Sequence, residues 1–206
     1  MIDWLAWSFR HLPQPWWLVM GTYETLILGA WLLERGILRR IRADSGDPID
    51  AAATDRSFIL KWVVVFILLQ LLASRAGRTP QILPRELWVS AVGTAITLAG
   101  LWIRVRAIVA LRENFSYVVN VGEKHRLVTT GLYRWVRHPA YTGLILYFLG
   151  LPLVLADLLL VIPAAVVVLV IVLRRIRIEE RWLHEQFGAE FEAWAARTKL
   201  LIPYVL

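Results

Sequence analysis

The sequence holds no cysteine, and only 19% of its 206 residues are charged. Without cysteine there is no disulfide, thiolate metal site or cysteine nucleophile, and the redox compartment stays open. A soluble domain carries about a quarter charged residues, so the shortage of charge argues against one. The start, Met1-Ile2-Asp3-Trp4, lacks a basic leader and a small-residue cleavage site, so no removable signal peptide is expected. What fills the chain is apolar: 58% hydrophobic residues, with a mean hydropathy of +0.58. They come in runs, which implies an integral membrane protein. Eleven Trp and six Tyr suit a chain with two membrane–water interfaces to decorate. The net charge of +7 could serve nucleic acid, but the basic residues cluster at the ends of the apolar runs, as orientation signals do. No nucleic-acid partner is expected.

In chain order, residues 1–15 read as an interfacial lead-in ended by Pro13 and Pro15. Trp16 to Leu33 is a first spanning candidate of about 18 residues, just long enough to cross. It carries Glu24 and runs into Glu34-Arg35. Residues 43–57 are a polar loop with turn chemistry. Phe58 to Ala73 is a short second span with Lys61 placed to snorkel, and Gly77 to Pro84 is a loop. Leu87 to Leu111 is a third helix whose last two turns, with Arg104 and Arg106, are expected to leave the hydrocarbon. Residues 112–139 are polar. Ala140 to Leu173 then carries Asp157 as its sole charge. One helix of that length would span about 51 Å against a hydrocarbon core of about 30 Å. Pro152, Asp157 and Pro163 offer breaks, so two helices joined by a tight hairpin near Asp157 are predicted. Helical periodicity continues through Trp182, Leu183, Phe187 and Phe191, with Gly188 interrupting it. The sum is an all-α, polytopic membrane bundle of five spans.

Lys and Arg placement gives the orientation. Six lie in residues 34–61, seven in 104–137 and six from Arg174 onward, against Arg10, Arg75, Arg78 and Arg85 on the other side. That predicts an external N-terminus and a cytosolic C-terminus, with both chemistry-rich segments meeting at the cytosolic edge.

The first of those segments runs from His125 to Gly143 and holds two His, two Tyr and two Gly in nineteen residues. Pro139 stands just before a helix, where free backbone N–H groups and a positive dipole end face a ligand. A basic loop anchored to headgroups has the same composition, so both readings stand. The two His are 13 apart with no carboxylate at ligand spacing between them, which speaks against a metal. The second segment is Arg174-Arg175-Ile176-Arg177-Ile178-Glu179-Glu180-Arg181. Arg175 and Glu179, four apart, share a helix face, though basic residues after a span are also an ordinary cytoplasmic flank. Glu24 and Gln70 read as polar groups bonding between helices rather than as catalysts.

These residues resemble the isoprenylcysteine carboxyl methyltransferase family. The likeness lies in Phe115-x-x-Val118-Val119, then His125-x-Leu127-Val128-Thr129-x-Gly131-x-Tyr133-x-Trp135-x-Arg137-His138-Pro139-x-Tyr141-x-Gly143. It continues through Arg175, Glu179-Glu180, Phe187-Gly188-x-Glu190-Phe191 and Ile202-Pro203, and so covers about residues 112–203. The wider superfamily includes phospholipid N-methyltransferases, small-thiol methyltransferases and, more distantly, membrane sterol reductases.

The resemblance implies an S-adenosylmethionine site at the cytosolic edge, with 112–206 as the catalytic region; residues 1–111, which match the family only in hydropathy, read as three N-terminal spans. Carried over by position, His125, Arg126, Leu127, Val128 and Tyr133 line the cofactor, and His138, Pro139, Ala140 and Tyr141 complete its pocket. Asn120 stands where the family commonly has Gln. Glu179 binds the cofactor through its amino group, and Arg175 holds the acceptor's carboxylate, so these two are the expected catalytic pair. The 120–125 loop is shorter than in eukaryotic members, and the acidic run after Arg175 is reduced to Glu179-Glu180. The implied acceptor is a prenylcysteine-like or other lipidic carboxylate at the membrane, with no metal. A phospholipid amine, a small thiol, a nicotinamide-dependent reductase and a non-catalytic membrane scaffold are the competing readings.

Overall fold

The computed structural model describes residues 16–45, 87–111, 127–156 and 158–202. They form α1 (Trp16–Ser45), α2 (Leu87–Leu111), a 3-10 turn (Gly131–Arg134), α3 (Pro139–Val154), α4 (Leu158–Phe187) and α5 (Ala189–Ala195). Among the described residues there is no strand, only an isolated parallel bridge between Val136 and Lys199. The all-α class is therefore as expected. The lead-in at 1–15, the second expected span at 58–73 with Gln70, and the 77–84 loop lie outside the described residues. One described helix, α2, is long and apolar enough to cross a membrane by length and composition.

One expectation needs correction. The first helix does not end at Leu33; it runs a further three turns to Ser45. Between Glu34 and Arg42 only Gly36 is a weak helix former, and the others favour continuation. Arg35 also stacks on the Trp31 ring one turn back, at 4.4 Å, a cation–π contact that favours the helical conformation. Arg104, on the turns of α2 expected to leave the hydrocarbon, is buried within the bundle. Its side chain is 7% exposed. The guanidinium forks onto Glu34 of α1, with Nε donating to Oε2 at 2.9 Å and Nη2 to Oε1 at 2.7 Å. Arg106, two residues on, is exposed. A buried guanidinium needs a paired carboxylate, and the extended α1 supplies one.

The predicted hairpin forms where expected. Its turn is Leu155–Ala156, closed by the Ala156 N–H donating to the Leu153 carbonyl at 2.9 Å. Ala156 takes a left-handed φ of 51°. Pro152 and Pro163 do not break the chain; each lies inside its helix close to the turn. Gly188, at φ 47°, separates α4 from α5.

At the centre is α3. Val19 and Tyr23 of α1 pack against its Tyr147, Leu151 and Val154. Val168, Val172 and Ile176 of α4 pack against its Leu144. Its contact with α2 is closer still, backbone against backbone. A methyl group added to Gly143 would meet the Gly100 carbonyl oxygen at 2.5 Å and the Arg104 nitrogen at 2.6 Å. One added to Gly150 would meet the Thr97 nitrogen at 2.7 Å and the Gly93 carbonyl oxygen at 2.8 Å. Gly93 and Gly100 on α2 thus face Gly150 and Gly143 on antiparallel α3, with the same spacing on both helices. Small residues that let helix backbones touch are a recurrent means of association where lipid weakens the hydrophobic drive.

This geometry makes a prediction. Gly100→Ala and Gly143→Ala should each destabilise the protein by about 1–3 kcal/mol, the usual cost of overpacking. Gly36→Ala, at a position on α1 with open space around it, should be neutral or gain up to about 1 kcal/mol from helix propensity. Thermal unfolding in detergent would check the ranking, and equal shifts in all three variants would contradict it.

Candidate active site at the start of α3

The chain enters α3 through a tightly held passage. After the 3-10 turn it runs alongside residues 199–201. Arg137 N–H donates to the Lys199 carbonyl at 2.8 Å, His138 N–H to Leu200 at 3.1 Å, and Lys199 N–H to Trp135 at 3.1 Å. The Thr142 hydroxyl donates to the Leu201 carbonyl at 2.7 Å. The Arg137 side chain strengthens this zipper. Its Nε donates to Glu180 Oε1 at 2.7 Å, and its Nη1 donates to the carbonyls of Ala195 at 3.0 Å and Thr198 at 2.7 Å. One guanidinium thereby joins the entrance of α3, the charged half of α4 and the end of α5. Pro139 then stands at the first position of α3, with His138 as its N-cap residue. Proline suits that place, since its missing N–H would have had no helical partner.

Around this entrance the two predicted segments meet. The Tyr141 hydroxyl donates to Glu179 Oε2 at 2.9 Å, and Arg175 hydrogen-bonds the same Tyr141 side chain. The His138 ring, 5.8 Å from that of Tyr141, is buried with 2% exposure; its Nδ1 lies 3.9 Å from Glu179 and its Nε2 3.4 Å from Glu180. Nε2 finds no well-aligned hydrogen bond there. Burial would raise the Glu180 carboxyl, but the His138 ring beside it, its bond to Arg137 and the Arg137 charge outweigh this, holding it below the ordinary 4.5. Burial, and then the Glu179 carboxylate, push the Tyr133 phenol well above its ordinary value. Tyr133 is therefore a neutral hydroxyl at any working pH.

The expected cofactor residues sort into three groups. His138, Tyr141, Arg175 and Glu179 converge as a polar set. Leu127, Val128, Tyr133 and Ala140 lie together in an apolar cluster with Ala107, Phe191 and Trp194, and Pro139 is buried beside it. In that cluster the Tyr133 hydroxyl donates to the Ala107 carbonyl at 3.4 Å, while the Trp194 indole donates to the Tyr133 carbonyl at 3.0 Å. Asn120, His125 and Arg126 lie outside the described residues. Glu24, on α1, is half-buried.

Three participants are not picked out by sequence reasoning. Glu180 is visible in the Glu179-Glu180 pair, and its position one residue past Glu179 leaves it free to face Arg137. Glu34 and Arg104 sit 70 residues apart, and no local pattern joins them.

Comparison with known proteins gives a consistent result. The family model described as phospholipid methyltransferase matches residues 88–190, half of the chain. The protein-S-isoprenylcysteine O-methyltransferase B of Arabidopsis thaliana is 31% identical over 125 residues, covering 60% of this chain and 64% of that protein. The corresponding proteins of Saccharomyces cerevisiae (32% over 121 residues) and Mus musculus (30% over 120) match 55% and 57% of the chain but only 48% and 42% of their own lengths. The chain thus spans less than two thirds of these relatives. A solved structure of the eukaryotic intramembrane Ras methyltransferase, isoprenylcysteine carboxyl methyltransferase, aligns over 96% of this chain and 70% of its own. The TM-score is 0.69 at 22% identity, a likeness of fold.

The Glu180 carboxylate generates a pH prediction. Its folded value lies below 4.5, so its contribution is complete above that pH and is lost as pH falls through the depressed value. Glu180→Gln should lower the unfolding temperature at neutral pH and flatten its decline below pH 4.5. Melting curves from about pH 7 down to about pH 3, spanning the ordinary carboxylate range, would test this. Parallel curves for the two proteins would refute it.

Proposed function

The chain belongs to the phospholipid methyltransferase family, and from that premise we propose that it is a membrane methyltransferase. It draws on S-adenosylmethionine and methylates the carboxylate of a prenylcysteine-like or other lipidic acceptor. The observation that carries the reading is the meeting of Arg175, Glu179 and His138 around Tyr141 at the start of α3. The names of the relatives, isoprenylcysteine O-methyltransferases of plant, yeast and mouse, supply the acceptor class.

The residues suit the cofactor. S-adenosylmethionine brings an electrophilic methyl group on a sulfonium, along with an ammonium and a carboxylate. Glu179 and Glu180 offer acceptors for the cationic groups, and the buried His138 Nε2 lacks a well-aligned partner that a ligand could supply. Leu127, Val128 and Ala140 offer an apolar wall. Nothing in the transfer calls for a general base, because a carboxylate is already ionised at neutral pH. With the cofactor bound, an acceptor oxygen held at the site would bond to the methyl carbon as the carbon–sulfur bond broke, the electron pair leaving with sulfur. The protein's task is to align and desolvate the reactants. Arg175 holds the acceptor carboxylate, for which a planar guanidinium offers a two-point match. Tyr141 spaces Arg175 from Glu179, keeping acceptor and cofactor on separate groups.

The apolar composition and the span-length α2 support an integral membrane placement, in which a lipid tail stays in the bilayer while its head reaches the site. The Lys and Arg distribution supports a cytosolic site. The family description favours a second acceptor, a phospholipid amine, whose phosphate Arg175 would hold instead.

A radiolabelled methyl-transfer screen over farnesylcysteine analogues, phosphatidylethanolamine and small thiols would separate the acceptors. Labelling of the amine alone would replace the carboxylate reading. Arg175→Ala should cut transfer about 10- to 100-fold, the range of a lost charged hydrogen bond, while S-adenosylhomocysteine still binds. Glu179→Ala should weaken that binding by a similar factor in calorimetry. The reverse pattern would exchange the two roles, and no binding to the unaltered protein at millimolar ligand would overturn the reading.

A further inference from the structure

We propose that Glu34 is a positioning residue for the cofactor side of this site, acting through Arg104 on the first turn of α3. The inference rests on the reading of that turn as a cofactor wall. Glu34 belongs to α1, outside the 88–190 stretch that the family model matches, so membership of the family assigns it nothing.

The path is continuous. Both Glu34 carboxylate oxygens accept from Arg104, at 2.7 and 2.9 Å, and the remaining terminal nitrogen, Nη1, donates to the Ala140 carbonyl at 3.3 Å. The turn that Arg104 grips also carries His138, whose carbonyl accepts the N–H groups of Tyr141 at 3.0 Å and Thr142 at 3.1 Å. Tyr141 in turn reaches Glu179. There is little slack on the α2 side, because Gly143 lies directly against the Arg104 backbone.

The electrostatics explain why Glu34 is needed. The start of a helix is its positive end, so a guanidinium lodged there is repelled by α3 itself. The Glu34 carboxylate offsets that repulsion and fixes the fork, leaving Nη1 aimed at Ala140. Without it, the charge is drawn away from the helix start toward water, and the Ala140 contact loosens. A lysine at 104 would keep the charge but could not hold the carboxylate and the carbonyl at the same time.

The test uses the full chain, purified, as Glu34→Gln and Arg104→Lys. In each folded variant the S-adenosylhomocysteine dissociation constant should rise about 10-fold, the order of one charged hydrogen bond. The acceptor KM should stay within about twofold, as expected when binding of that substrate is untouched. Hydrogen exchange should quicken at the Tyr141 and Thr142 amides and not in the middle of α2. Should Glu34→Gln not fold, Arg104→Lys, which keeps the buried charge paired, provides the same readouts. Unchanged exchange at those two amides, unchanged cofactor affinity, or an acceptor KM that moves in step with it would overturn the proposal. Failure of the unaltered protein to bind S-adenosylhomocysteine would instead overturn the functional reading and the cofactor role with it. Normal binding retained in a folded variant would sink this inference alone.

Discussion

Two helices can bring their backbones into contact only where neither carries a side chain at the crossing. Gly93 and Gly100 on α2, set against Gly150 and Gly143 on α3, meet that condition twice, one heptad apart. Because the helices run antiparallel, the two contacts fix their axial register. That register sets Arg104, one turn past Gly100, beside Ala140. It also leaves the start of α3 level with Glu34 of α1. Hydrophobic packing of α1 and α4 against the other faces of α3 adds stability but would tolerate sliding; the glycine contacts do not.

On that frame the candidate site lies at a helix end. The entrance to α3 is held by its own backbone, by the 199–201 segment and by Arg137. Such redundancy suits the proposed reaction, whose catalysis is alignment. The two basic side chains at this end therefore differ from Arg175 in the role proposed for it. Arg137 and Arg104 have their guanidinium groups committed to carboxylates and carbonyls, and they hold the entrance in place. Paired carboxylates at the same end, Glu179 and Glu180, are split likewise: one turns to Tyr141, the other to Arg137.

Much of this is legible in the residues alone. The bounds of α2, the hairpin near Asp157, the break at Gly188 and proline at the start of α3 all follow from local chemistry, in which apolar runs, turn formers and caps act within a few residues. The meeting of the His138–Tyr141 stretch with Arg175 and Glu179 is legible too, because charge placement puts both segments at one end of the bundle. The one departure has a physical cause. Ending α1 at Leu33 treats Glu34 and the arginines after it as an exit from the membrane, which is sound for a single helix and fails once a second helix brings the opposite charge.

The amino-acid sequence by itself determined the helical class, the bounds of α2, and the set of side chains proposed for the site, since these depend on composition and on short spacings. Only the tertiary structure decided that Glu34 closes on Arg104, that Arg137 binds Glu180 and the end of α5, and that glycines far apart in the chain lie in contact. Those pairings are long in sequence, and each becomes favourable only after the helices have docked. A charge or a glycine looks the same in the chain whether or not its partner is there to meet it.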